Sequence, residues 1–161
     1  MLWQTTTIEP AGTEKLGEGL GKLLAPPAVL ELRSDLGGGK TTFVRGLVRG
    51  VGSKDKVVSP SFTVSRIYKG PSLEIHHFDF YRLHEPGIVA DQLDESLQNP
   101  RVITIVEWSD IVQGILPEGR LVVELIPTTK SPDERLIKIG YPEAKEAIIK
   151  QLQSRLTELK P

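Results

Sequence analysis

The chain has 161 residues, 39% of them hydrophobic, a formal net charge of -1 and no cysteine. That is enough apolar material for one undivided domain over residues 1–161, and the charge is too balanced for a surface that grips nucleic acid broadly, although a local basic patch stays open. The lack of cysteine excludes a disulfide partner and thiolate chemistry, and without a secretory leader or an apolar run of spanning length the expectation is a cytoplasmic protein with no membrane partner.

In chain order, residues 2–8 read as a short strand. Residues 12–24 carry Leu16, Leu20, Leu23 and Leu24 at helical spacing despite three internal glycines, and Pro26-Pro27 stop that helix. The apolar strand 28–32 runs into Ser34-Asp35-Leu36-Gly37-Gly38-Gly39-Lys40-Thr41-Thr42, and a helix over 41–51 closes on Gly50 and Gly52. Residues 57–64 read half as loop and half as strand. Ile67-Tyr68 and a Gly70-Pro71 turn predict a hairpin into 73–80, followed by a helical stretch near 85–97. Val102-Ile103-Thr104-Ile105-Val106 is apolar enough for a buried parallel strand. Strands at 121–126 and 135–139 come late, and an antiparallel course is open to them. After Pro142, Ile148, Leu152, Leu156 and Leu159 share one face of an amphipathic closing helix, with Lys145, Glu146, Lys150, Gln153 and Arg155 elsewhere. The alternation predicts a three-layer α/β domain with a mainly parallel central sheet.

Segment 34–42 approximates G-x-x-x-x-G-K-[ST], with Ser34 in place of the first glycine. Three consecutive glycines leave no side chain between backbone N–H groups and an anion, and the helix N-terminus adds positive dipole. The prediction is a P-loop NTPase fold, with Lys40 as a solvent-facing ammonium reaching the β- and γ-phosphates and Thr41 on Mg²⁺. The plain alternative is a glycine-rich turn with a surface lysine. Agreement of strand, loop and helix disfavours it.

Two carboxylates, Asp79 and Glu107, sit at the carboxyl ends of apolar strands, where α/β proteins bind ligands. Period-2 alternation puts His77, Asp79 and Tyr81 on one face and His76, Phe78 and Phe80 on the other. Either acid suits orientation of Mg²⁺ or of a water. As structural residues they would instead be a strand-end acceptor and a salt-bridge partner. His76, His77 and His84 do not read as a zinc set, because consecutive strand residues face opposite sides.

The loop D-L-G-G-G-K-T-T, the segment Ser59-Pro60-Ser61-Phe62-Thr63, the segment His77-Phe78-Asp79-Phe80-Tyr81-Arg82 and the pair Glu107-Trp108, in this order, resemble the TsaE family, the bacterial ATPases of tRNA threonylcarbamoyladenosine biosynthesis. The resemblance implies an Mg²⁺-dependent, partner-activated ATPase supporting t6A37 modification with TsaB and TsaD, and contact with tRNA indirectly or through the complex. It implies ATP phosphates held by Leu36, Gly37, Gly38, Gly39, Lys40, Thr41 and Thr42, and the base near Thr13. It further implies Mg²⁺ served by Thr41, Glu107 and Asp79, catalytic roles for Lys40, Asp79 and Glu107, and a switch-like segment at 59–63. The chain departs from the family pattern at Ser34 (usually glycine), Gly38 (usually alanine) and Ser61 (usually threonine), and residues 90–99 match it poorly.

Other classes can be weighed on the residues. A guanine-reading Asn-Lys-x-Asp motif is missing, since the single asparagine, Asn99, precedes Pro100. A small-molecule P-loop kinase is the enzymatic alternative, although no compact arginine cluster suggests a lid. A module that ATP switches, with little turnover of its own, is the alternative from another class. Beyond Lys40 the candidate cations for the γ-phosphate are Arg66 and Arg82, in segments whose loop geometry the sequence does not fix. Arg45 and Arg49 belong to the helix after the loop and point away from its mouth.

Overall fold

In a computed structural model, residues 1–158 are described and form seven strands and four helices. The strands are β1 (Leu2–Thr7), β2 (Ala28–Arg33), β3 (Ser65–Lys69), β4 (Glu74–Asp79), β5 (Val102–Glu107), β6 (Leu121–Pro127) and β7 (Arg135–Gly140). They make one sheet in the order β1-β7-β6-β2-β5-β4-β3. The helices are α1 (Pro10–Gly21), α2 (Lys40–Gly50), α3 (Gly87–Gln98) and α4 (Glu146–Glu158). Leu159, expected on the closing face, lies outside the described residues.

Hydrophobic continuity decides which strands are central. All six residues of β5 are buried, and β5 pairs in parallel with both β2 and β4. Strands covered on both faces need no polar alternation, and β5 shows none. Of the two late strands only β7 is antiparallel to its neighbours; β6 joins β2 in parallel through Leu30↔Leu121 and continues antiparallel into β7. Residues 57–64 contribute no strand. Val64 there has φ 66°, a left-handed conformation that costs a β-branched residue about 1–3 kcal/mol, and regular pairing begins only at Ser65.

Helices cover both faces. On one, Leu16, Leu20, Phe43, Leu47, Ile149 and Leu152 pack over Leu30, Leu32, Ile75, Ile103 and Ile105. On the other, Leu93, Val112 and Leu116 pack over Phe78, Phe80 and Val106. Each fully buried large side chain contributes about 1.5–3 kcal/mol. Ile149, absent from the expected apolar face, is buried beside Leu152, while Ile148 and Leu156 are only partly buried.

Glycines of both α1 and α2 form the packing surface between the two helices. A Cβ at Gly17 would stand 2.2 Å from Phe43 O, one at Gly46 1.9 Å from Glu14 O, and one at Gly50 2.3 Å from Glu18 O. α1 and α2 therefore touch backbone to backbone. Gly50 belongs inside α2, and it is Gly52, at φ 85°, that turns the chain away. This contact holds the start of α2 rigidly at the carboxyl end of β2.

Candidate functional site

The turn from β2 into α2 is built from bare backbone. Gly37 and Gly39 sit at φ 74° and 103°, where a side chain would be strained, and Gly38 N donates to Asp35 O at 3.0 Å to close the turn. α2 begins at Lys40, one residue earlier than expected, with Gly39 as its N-cap. No side chain caps it and no acidic residue stands in its first turn. The first N–H groups of a helix have no intrahelical partner and carry the positive end of its dipole. Such an end fits an anion, and a phosphate above all.

Lys40 is not solvent-facing. It is 7% exposed, its Nζ donates to the carbonyls of Ser34 and Asp35 at 3.1 Å each, and it lies 4.9 Å from the centroid of the Trp108 ring. The ammonium thus stands inside the loop, held from below by carbonyls and from the side by an aromatic face. Sequence reasoning missed Trp108 as a wall of the site. Residues 36–42, Ser59, Ser61, Asp79, Glu107 and Trp108 together line one cavity of about 240 Å³.

Asp79 and Glu107 are direct partners in the parallel β4–β5 register, so the sheet itself places the two carboxylates side by side. Both are 2% exposed, and their partners differ. Asp79 accepts from Ser61 Oγ at 2.7 Å and from the backbone N–H of Tyr81 at 2.9 Å, and Ser61 Oγ is 2.9 Å from Ser59 Oγ. Segment 59–63 is thereby tied to an acid of the cavity. Glu107 is bonded to His77 Nε2 at 2.7 Å. His76, one residue earlier, faces the opposite side and pairs with Glu74 at 3.1 Å.

The turn after Glu107 depends on a carboxylate that sequence reading did not single out. Trp108 has φ 54°, and Ser109–Val112 form a single 3-10 turn. Ser109 Oγ donates to Glu31 at 2.7 Å, and Gln113, Arg33 and Arg120 donate to the same carboxylate at 2.9, 2.7 and 2.6 Å. Burial of Glu31 raises its pKa, but the four donors outweigh burial and hold it at about 2. Glu31 thus anchors the turn that aims Trp108 at Lys40. A Glu inside β2, followed two residues later by Arg, was the available signal.

Other expected residues fall outside the cavity. Thr13 is 2% exposed in the first turn of α1, and its hydroxyl is 2.7 Å from that of Thr7. It does not line this cavity. Arg45 and Arg49 turn to Glu14 and Glu18 of α1, away from the loop. Arg82 lies 4.2 Å over the ring of Phe62, itself 83% exposed. A cation that spacing did not suggest, Arg135, donates from Nε to Gly38 O at 2.9 Å and braces the loop from β7. None of the helices described is long and apolar enough to cross a membrane.

The family model for threonylcarbamoyl adenosine biosynthesis protein TsaE matches residues 7–137. A protein of Haemophilus influenzae named tRNA threonylcarbamoyladenosine biosynthesis protein TsaE is 38% identical over 113 residues, 70% of this chain and 72% of its own. A Bacillus subtilis protein of the same name is 34% identical over 131 residues, covering 81% and 80%. The crystal structure of Bacillus subtilis YdiB superposes with a TM-score of 0.80 at 29% identity, covering 96% of each chain.

Proposed function

Because the chain belongs to the TsaE family of threonylcarbamoyl adenosine biosynthesis proteins, we propose that it is a P-loop, Mg²⁺-dependent ATPase acting with TsaB and TsaD in threonylcarbamoyl modification of tRNA adenosine, in the cytoplasm. The observation that carries this reading is one cavity that joins an uncapped helix N-terminus, an ammonium inside the loop and a register-paired Asp–Glu.

The donor set fits ATP and Mg²⁺. Gly37 and residues 39–42 offer backbone N–H groups to phosphate oxygens, the N–H of Gly38 being used on Asp35, and Lys40, already fixed by two carbonyls, supplies the charge beside them. Thr41, Asp79 and Glu107 bring hard oxygen ligands suited to Mg²⁺ into the same cavity. When bound, Mg²⁺ neutralises charge on the transferring phosphoryl group. Asp79 and Glu107 are then the two groups that can order an attacking water, and Trp108 screens Lys40 from solvent.

A second reading has its own support. The Ser59–Ser61–Asp79 chain of hydrogen bonds ties segment 59–63, whose Phe62 and Thr63 are exposed, to an acid of the cavity. Occupancy by ATP would then be reported to a partner surface even with little turnover, an ATP-switched binding module. Steady-state ATPase measured with and without TsaB and TsaD separates the two. A slow isolated chain that accelerates with the pair supports the partner-activated ATPase. A fast isolated chain, or no response to the pair, overturns it.

A further inference from the structure

His77 is wholly buried at 0% exposure, a polar ring inside the sheet. Its Nε2 lies 2.7 Å from Glu107 Oε1, and its Nδ1 is buried without a partner among the described residues. Tyr68 is its aromatic neighbour, ring centroids 6.1 Å apart. Among the described residues, His77 is the one side chain hydrogen-bonded to Glu107. A buried polar ring with one orphaned nitrogen is costly, so the bond it does make must matter to the arrangement.

We infer that His77 is a positioning residue for Glu107: its Nε2–H occupies one carboxylate oxygen and holds the side chain so that the other is left for Mg²⁺ or its water. This rests on the reading of Glu107 as an acid on the Mg²⁺ side of the cavity. The geometry supports it in three ways. The bare Nδ1 assigns the proton to Nε2, since an unprotonated orphan nitrogen is less costly than a buried N–H without an acceptor. Alternation along β4 puts His77 on the face of Asp79, two residues before it, and the parallel register sets His77 opposite Ile105, two residues before Glu107. The imidazole therefore supports the carboxylate from inside the sheet while the cavity lies beyond it. A glutamate has three side-chain torsions, and a single fixed donor removes most of that freedom before a ligand arrives.

The test measures ATP affinity by calorimetry in excess Mg²⁺ and in EDTA for wild type, His77→Leu, His77→Gln and His77→Asn. The Gln amide nitrogen reaches as far as Nε2, whereas the Asn nitrogen reaches only as far as Nδ1. Wild type should gain affinity from Mg²⁺. His77→Leu and His77→Asn should lose about 10–100-fold of that gain with Mg²⁺-free affinity unchanged, and His77→Gln should keep most of it. If His77→Leu does not fold, as judged by circular dichroism, the Asn–Gln contrast alone decides. A Mg²⁺ gain retained in His77→Asn, or lost equally in His77→Gln, overturns the positioning role. A wild-type affinity indifferent to Mg²⁺ instead overturns the metal reading of Glu107, and the inference with it.

Discussion

Substitution of Gly38 by alanine tests how the loop tolerates its unusual first residue. Gly38 does not have a positive φ, so alanine is acceptable to its backbone and only space is at issue. The added Cβ would stand 1.5 Å from Ser34 Oγ, 2.8 Å from Ser34 Cβ and 3.0 Å from Asp35 O. Rotation of the Ser34 hydroxyl relieves the first contact but not the second. The loop must therefore open, and overpacking of this kind costs about 1–3 kcal/mol. Since each 1.4 kcal/mol is tenfold in affinity, Gly38→Ala should weaken ATP binding by about 5- to 150-fold. Ser34→Gly removes the two shortest of the three contacts and leaves only Asp35 O at 3.0 Å, so Ser34→Gly/Gly38→Ala should recover to within about threefold of wild type, a coupling that additive effects cannot produce. Calorimetry on the four proteins reads this directly. Wild-type affinity in Gly38→Ala, or a double variant as weak as Gly38→Ala alone, would refute the reasoning. Ser34 and Gly38, two departures from the family pattern, are on this account one exchange of volume.

Asp79→Asn and Glu107→Gln keep size and remove charge beside the expected Mg²⁺, so each should lower kcat by at least about tenfold with circular dichroism unchanged; wild-type rates would return both to a structural role. Glu31 titrates at about 2 in the folded chain against 4.5 for its ordinary value, so its stabilisation is full above about pH 5 and fades as pH falls through about 2. That contribution is about 3 kcal/mol near neutrality, about 2 kcal/mol of it lost by pH 3. Urea unfolding at pH 7 and pH 3 should show the loss in wild type and not in Glu31→Gln; parallel pH profiles would contradict the assignment.

Periodicity and turn chemistry made the order of strands and helices readable, because a strand like β5 and a helix like α2 carry their signals locally. The placing of Thr41, Asp79 and Glu107 was legible too: Asp79 and Glu107 close apolar strands, Thr41 stands where the glycine loop opens a helix, and the parallel register only had to set the two acids side by side. What stayed hidden depends on contacts between distant parts of the chain. Gly17, Gly46 and Gly50 look like helix breakers until the backbone of the opposing helix is seen. The course of β6 is a choice of neighbour, not of propensity. The burial of Lys40 depends on Trp108 turning over it, and that turn depends on Glu31, 78 residues from Ser109. Arg135 reaches Gly38 across 97 residues, a separation no spacing rule records.

The central claim is that segment 34–42 is an ATP phosphate site built around Lys40. Calorimetric titration of wild type and Lys40→Ala with ATP and Mg²⁺ tests it most directly. Deleting Lys40 frees two loop carbonyls, so a modest loss of thermal stability is expected while circular dichroism shows the fold retained. The account predicts ATP binding by wild type and a loss of well over about tenfold in the variant, the ammonium being the one charge fixed inside the loop. Equal affinity in the two proteins, with both folded, would contradict it.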